Sequence, residues 1–242
     1  VSALVGIVLA AGVGSRLRPL TDALPKCLVE VGGASMLARA VRLLADAGAR
    51  EVIVSTGYLD AVVRAAMASA PVPVRFAHNP DYDTTQNVVS LQRALALVPD
   101  GCDVVKLDGD VVFEAAVLAR LLAAECDACA AIDDAGPPPD EAMKVRAEGG
   151  RVVRFGKGLD AASALGESIG IERFAARVVP DLARALSRAI AAGRTDVYYE
   201  DVYNDLVAAG LALRPVSVGG LRWNEVDDVD DLARARALFP SA

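Results

Sequence analysis

Leu4-Val5-Gly6-Ile7-Val8-Leu9-Ala10-Ala11-Gly12-Val13-Gly14-Ser15-Arg16-Leu17-Arg18-Pro19-Leu20-Thr21, followed by Pro25-Lys26, sets the reading of the whole chain. Leu4 to Leu9 is a short apolar run, the pattern of a buried strand, and it opens into two glycines spaced by one residue. Backbone N–H groups in such a loop can approach phosphate oxygens closely. The position of the third glycine in the dinucleotide-binding fingerprint is held by Leu17, and the chain has no Gly-Lys-Ser/Thr of a P-loop. Instead Arg16 and Lys26 bracket the loop. One is a planar fork and the other a compact point charge, a pair that suits a triphosphate.

Outward from this loop, two periodicities alternate. Apolar runs at Val52–Val54, Val74–Phe76, Val104–Leu107 and Ala128–Ile132 predict further strands, and helical spacing predicts helices over Met36–Ala47, Ala61–Ala70, Val88–Leu97 and Ala115–Ala124. Strict alternation predicts βαβ crossovers and an α/β fold: a Rossmann-like mixed, mostly parallel sheet flanked by helices. Asp133 to Asp140, with three consecutive prolines, breaks the rhythm. Beyond it, Met143–Ala147 and Val152–Phe155 flank Glu148-Gly149-Gly150 as a predicted hairpin. Helices are then expected over Ala175–Ala191, Glu200–Ala209 and Val229–Leu238, with short strands at Leu213–Val218 and Asn224–Val226. No linker or repeat interrupts the chain, so residues 1–242 read as one domain. Its first half is 1–135 and its second 136–242. Ligands of such sheets bind beyond the carboxyl ends of the strands.

Composition narrows the class. The 242 residues are 54% hydrophobic and 24% charged, which excludes a disordered chain. With 25 Lys and Arg against 32 Asp and Glu, the net charge of −7 argues against nucleic acid or a membrane surface as partner. The stretch from Val1 to Ser15 is shorter than the ~20 apolar residues of a membrane span and lacks the basic head of a signal peptide. Val1 fits a trimmed native start, and a cytoplasmic protein without membrane insertion is expected. Of the four cysteines, Cys126 and Cys129 form a CxxC inside an apolar run; without a second pair or a histidine cluster they read as ordinary thiols.

Two acidic stretches carry the remaining chemistry. Val104–Leu107 ends in Asp108-Gly109-Asp110, an acidic pair whose repulsion calls for a cation or solvent. Near the other end lies Trp223-Asn224-Glu225-Val226-Asp227-Asp228-Val229-Asp230-Asp231. Asp228 is placed to cap a helix and Asp230 and Asp231 to favour its first turn, which leaves Asp227 unexplained. Lys144 and Lys157, two of only four lysines, fall on the hairpin, and Tyr198, Tyr199 and Trp223 fall beside Glu200, Asp201 and Glu225. Aromatic faces with nearby carboxylates suit a cationic head group.

Leu9-Ala10-Ala11-Gly12-x-Gly14-x-Arg16-Leu17-x-Pro19-Leu20-Thr21 with Pro25-Lys26 resembles the signature of the sugar-phosphate nucleotidyltransferase superfamily. Asn79-Pro80-x-Tyr82, Gln86-Asn87-Val88-Val89-Ser90-Leu91 and Tyr198-Tyr199-Glu200-Asp201 look most like its cytidylyltransferase branch, which acts on phosphocholine, phosphonate and inositol-phosphate acceptors. One departure is Ala34-Ser35, where the family usually has Lys-Pro. The resemblance implies a nucleotide-diphospho-sugar transferase-like fold. It implies a transfer of CMP from CTP to a phosphocholine- or aminoethylphosphonate-like acceptor with release of pyrophosphate. In it Lys26 and Arg16 are catalytic, and Leu9, Ala10, Ala11, Gly12, Gly14, Ser15, Arg16 and Asp108 hold the nucleotide. Lys144, Lys157, Glu167, Tyr198, Glu200 and Trp223 hold the acceptor, and Asp110 and Asp227 hold Mg²⁺. Two alternatives stay open: a hexose-1-phosphate or cyclitol-phosphate nucleotidylyltransferase using UTP, dTTP or GTP, and a nucleotide-sensing domain without catalysis. A homodimer is also left open.

Overall fold

The opening apolar run becomes the middle of a sheet. In the computed structural model, which describes residues 2–241, β1 (Leu4–Ala10) is followed by the short pair β2 (Glu30–Val31) and β3 (Ala34–Ser35) and then by α1 (Met36–Asp46). Alternation continues through β4 (Ala49–Thr56), α2 (Asp60–Ala66), β5 (Val74–His78), α3 (Asn87–Leu95), β6 (Asp103–Asp108), β7 (Val111–Phe113), α4 (Ala115–Ala123) and β8 (Ala128–Asp133). The second half contributes β9 (Lys144–Glu148), β10 (Arg151–Gly156), β11 (Gly166–Phe174), α5 (Val179–Ala191), α6 (Tyr199–Ala208), β12 (Leu213–Ser217), β13 (Trp223–Glu225) and α7 (Val229–Leu238).

The expected mixed, mostly parallel sheet flanked by helices forms, with nine strands. β6, β1, β4 and β5 are parallel neighbours, as the alternating pattern requires. β1 therefore sits where the strand order switches, and the crevice beyond its carboxyl end is where such sheets bind ligands. β11 runs antiparallel to β6, β8 and β9, and stitches the halves together. The predicted hairpin is β9–β10. Strand alternation sends Val5 and Ile7 to a core shared with α3, α5 and α6, and Val8 and Ala10 to one shared with α1, α2 and α4.

Several boundaries shift for local reasons. α5 begins at Val179 rather than Ala175, with Pro180 in its first turn, where a missing N–H goes unnoticed. At the family departure, Gly32 and Gly33 take positive φ (64° and 80°) and close a two-residue turn between β2 and β3. Ser35 then caps α1, its hydroxyl accepting from the Ala38 N–H. All four cysteines are free; Cys129 faces the core, and burial pushes its thiol up to about 12.

A third, smaller core positions the site. Leu17 from the glycine loop, Val29, Val31 and Met36 pack with Val112 of β7, Val226, and Leu232, Ala235 and Phe239 around α7. The two ends of the chain meet there. β13 pairs antiparallel with β7, and the Val226 N–H donates to the Asp110 carbonyl at 3.0 Å, so the segment carrying Glu225 and Asp227 lies beside the turn carrying Asp110.

Candidate active site

The glycine loop is shaped around Lys26. Gly14 sits at φ 68°, and a Cβ there would come within 2.7 Å of the Lys26 Cβ. The Thr21 hydroxyl donates to the Gly14 carbonyl at 2.8 Å, closing the loop over the turn Lys26–Leu28. On the neighbouring strand end, the Gly109 N–H donates to the Leu9 carbonyl at 2.9 Å, and a Cβ at 109 would lie 2.5 Å from that oxygen. The turn Asp108-Gly109-Asp110 is thereby pressed onto the end of β1. Of the residues assigned to the nucleotide, Ala10 and Ala11 are buried and Gly12, Ser15 and Arg16 are exposed around the crevice.

Five ionisable side chains converge at this point. Lys26 Nζ lies 2.8 Å from Asp110 Oδ2 and 2.5 Å from Asp227 Oδ1, and Arg16 Nη2 lies 2.5 Å from Asp227 Oδ2. Burial opposes the Lys26 charge, but Asp110 and Asp227 outweigh it and hold its pKa above the ordinary range. Burial likewise opposes the Asp227 carboxylate, and Lys26 and Arg16 hold its pKa below the ordinary range. The fifth group is Glu225, which sequence reasoning set with the aromatic residues beside Trp223. It belongs here: oxygens of Asp110, Glu225 and Asp227 all lie within 4.8 Å of one another. Glu225 has no ion-pair partner among the described residues, and surrounding protein with Asp110 and Asp227 pushes it up to about 8. Three convergent carboxylate oxygens, two of them already sharing a cation, form a hard, all-oxygen donor set that fits Mg²⁺. The signal for Glu225 was its parity with Asp227, two residues apart across Val226.

Asp227 faces the two cations while its neighbours do the capping. The Asp228 carboxylate accepts from the N–H groups of Asp230 and Asp231, and Asp231 accepts from those of Asp227 and Asp228. This capping box starts α7 where the sequence placed it.

From Arg16, Glu225 and Asp227 a cleft of about 580 Å³ runs past Asp108, Lys157, Glu167, Tyr198, Glu200 and Trp223. Five of the six residues assigned to the acceptor line it. Lys144 does not. Its ammonium is buried, donating to the carbonyls of Asp140 (2.6 Å) and Lys157 (2.7 Å), so it clamps the loop before β9 against the end of β10 and has no reach to a ligand.

Of the three aromatic residues expected around a cationic head group, Tyr198 and Trp223 line the cleft and Tyr199 does not. Tyr199 is fully buried; its ring lies over Lys106 Nζ at 3.6 Å and its hydroxyl donates to Asp108 Oδ2 at 2.7 Å. Tyr198 faces Lys157 at 5.2 Å, Asp201 accepts from the Tyr198 N–H, and the Trp223 indole N–H donates to Asp133 at 2.7 Å.

Sequence reasoning missed Lys106. It lies inside β6, fully buried, 2.8 Å from Glu172 and 3.1 Å from Asp108, and donates to the Gly170 carbonyl at 3.2 Å. Gly170 has φ 71°, and a Cβ there would sit 2.3 Å from Asp108 Oδ2. Only glycine leaves Asp108 room at this point. Asp108, Glu172 and Glu200 keep the Lys106 ammonium charged against a burial that opposes it.

A cation-bearing glycine loop at the switch point of a mixed sheet, facing convergent carboxylates across a cleft, defines a nucleotide-diphospho-sugar transferase-like domain. Residues 6–189 match the family described as MobA-like NTP transferase domain, and the chain belongs to that family. The chain is 35% identical over 250 residues to the CMP-5'-(3-aminopropyl)phosphonate synthase of Streptomyces rubellomurinus, covering 96% of this chain but 38% of that relative's length. The chain thus spans less than half of that relative. It is 27% identical to the 2-aminoethylphosphonate cytidylyltransferase of Lancefieldella rimae, covering 94% of this chain and 89% of the relative. In fold it superimposes on the inositol-1-phosphate CTP transferase from T. maritima with a TM-score of 0.81 at 22% identity, covering 100% and 99% of the two chains.

Proposed function

We propose that the chain is a Mg²⁺-dependent cytidylyltransferase that moves CMP from CTP to a small phosphate or phosphonate acceptor and releases pyrophosphate. The observation that carries this reading is the Lys26 ammonium held between Asp110 and Asp227, with Arg16 on the same Asp227. Two cations neutralised by carboxylates at the mouth of a glycine loop are poised to exchange those partners for phosphate oxygens. The activities of the two relatives favour CTP and a phosphonate acceptor.

In this mechanism residues 1–135 hold the nucleotide, and residues 136–242 hold the acceptor and complete the metal set. The loop amides at Gly12–Ser15 and the Arg16 guanidinium bind the β- and γ-phosphates, and Lys26 reaches the reacting phosphates. An acceptor oxygen attacks the α-phosphorus in line, and the bond to the bridging oxygen breaks as pyrophosphate leaves. The acceptor needs no general base, because a phosphate monoester has a second pKa near ~6 and is largely ionised at pH 7. Asp110, Glu225 and Asp227 would hold the metal, which when bound adds positive charge at the triphosphate oxygens. Catalysis is then positioning and charge stabilisation by Lys26 and Arg16. Lys157 supplies positive charge on the acceptor side. Both substrates are charged and water-borne, which suits a cytoplasmic setting.

The test is pyrophosphate release measured with each of four NTPs against aminoethylphosphonate, phosphocholine, inositol phosphate and a hexose 1-phosphate. CTP with a phosphonate or phosphocholine is expected to give the highest kcat/KM. Turnover with UTP, dTTP or GTP and a hexose phosphate overturns the cytidylyl assignment, and nucleotide binding without any release overturns the enzyme.

A further inference from the structure

Three cations line the cleft, and two of them are already paired, Arg16 with Asp227 and Arg234 with Asp231. Lys157 has no ion pair among the described residues, and its ammonium lies over the Tyr198 ring at 5.2 Å. It is the cation open to an anion that enters from the acceptor side.

The local chain does little to fix where Lys157 stands. It is exposed and follows β10, one residue past the last ladder pair, Gly156 with Lys144. Glycine flanks it on both sides, at Gly156 and Gly158, and glycine restricts the backbone least of all residues. A long side chain on such a backbone loses much conformational entropy whenever a ligand orders it.

The restraint comes from Lys144. Its side chain is buried, and its ammonium donates to the Lys157 carbonyl at 2.7 Å and to the Asp140 carbonyl at 2.6 Å. One lysine thus fastens both the backbone of Lys157 and the loop that carries Pro139, Glu141 and Met143 into the cleft. Glu167 is its register partner on β11, yet no carboxylate forms an ion pair with Lys144 among the described residues. A buried ammonium held by carbonyl oxygens alone is a costly tie. A lysine kept at a strand edge only to discourage aggregation would send its charge to water instead.

We infer that Lys144 is a positioning residue: through the Lys157 carbonyl it sets the Lys157 ammonium where the phosphate or phosphonate group of the acceptor arrives. This rests on the transferase reading above and adds to it a residue that touches neither substrate.

The experiment titrates methylphosphonate into the full chain with Mg²⁺ and a non-hydrolysable CTP analogue present. The signal is the fluorescence of Trp223, the one tryptophan of the chain, which lines the cleft. Lys144→Met keeps the stem and loses the donors; it is expected to weaken methylphosphonate about tenfold and the CTP analogue less than about twofold. Lys144→Gln keeps an N–H donor and is expected to lose about threefold, and it decides the matter if Lys144→Met does not fold. Lys157→Ala should lose as much as Lys144→Met, and the double variant no more than Lys157→Ala alone, because one acts through the other. A lysine with a merely structural role would weaken the CTP analogue equally, or its loss would multiply with that of Lys157→Ala. Either result overturns the inference, as does parent-like binding in both Lys144 variants or no binding by the parent. The expected pattern with no pyrophosphate released from CTP sustains the positioning role and overturns the transferase reading.

Discussion

Lys26 and Lys106 are both lysines set between two carboxylates, yet they do opposite things. Lys106 is fully buried, and two carboxylates, a carbonyl and a ring face use up its donors. Lys26 has a side chain 13% exposed at the crevice and contacts two carboxylates, which leaves an N–H to spare. A cation sealed on every side neutralises; a cation with an open side can change partners. The same residue type is therefore scaffold in β6 and, in the proposed transfer, chemistry at the loop.

The sharpest break of this contrast is Lys106→Ala. It strands Asp108, Glu172 and Glu200 without their cation and should destabilise the fold by about 3–5 kcal/mol. Urea unfolding measures it, and a loss under 1 kcal/mol would erase the distinction. Lys26→Ala should do the reverse, with kcat falling by about 10²–10³ at nearly unchanged unfolding midpoint. Near-normal turnover in that variant would remove Lys26 from the chemistry.

The pH dependence sharpens the same contrast through Glu200, which faces Lys106 and Asp108 from β6 and Glu172 from β11. Its carboxyl titrates near ~4.3 when unfolded and at about 8 when folded, so between those values the folded chain keeps a proton that the unfolded chain releases. Stability from this group is lost as pH rises across that window. Glu200→Gln should match the parent in thermal unfolding at pH 5 and exceed it by roughly 2–4 kcal/mol at pH 8.5. Parallel profiles would show that Glu200 is not strained. The smallest effect is a coupling. Asp110→Asn and Asp227→Asn each lower kcat, and the double variant should lose less than the product of the two by about 1 kcal/mol, because Lys26 joins both. Fully multiplicative losses would separate the two carboxylates.

What the sequence made legible follows the reach of its signals. The alternating strands and helices to β8 are local patterns, and so is the loop from Gly12 to Lys26 with its two cations. Asp227 stood out because its neighbours had capping work to do and it had none. Lys106 stayed hidden because a single polar residue inside Val104-Val105-Lys106-Leu107 does not break an apolar run, and its partner Glu172 lies on another strand. Only the antiparallel register, which sets Glu172 directly opposite Lys106, joins them. The path of β11 through the centre is equally non-local. Lys144 was misplaced for a further reason: a lysine on a hairpin looks available until two carbonyls are found on its ammonium. β7 was too short to read, yet through β13 it brings Glu225 to Asp110.

The contact between Lys26 and Asp227 closes over a separation of 201 residues. Contacts so distant along the chain form late, since loop closure must precede their reward. A nascent chain emerging from the ribosome can assemble β1 to β6 while Asp110 still waits for the segment that carries Glu225 and Asp227. The cluster thus forms only after residue 227 has been made, and a chain stopped before that point carries Lys26 and Asp110 without Asp227.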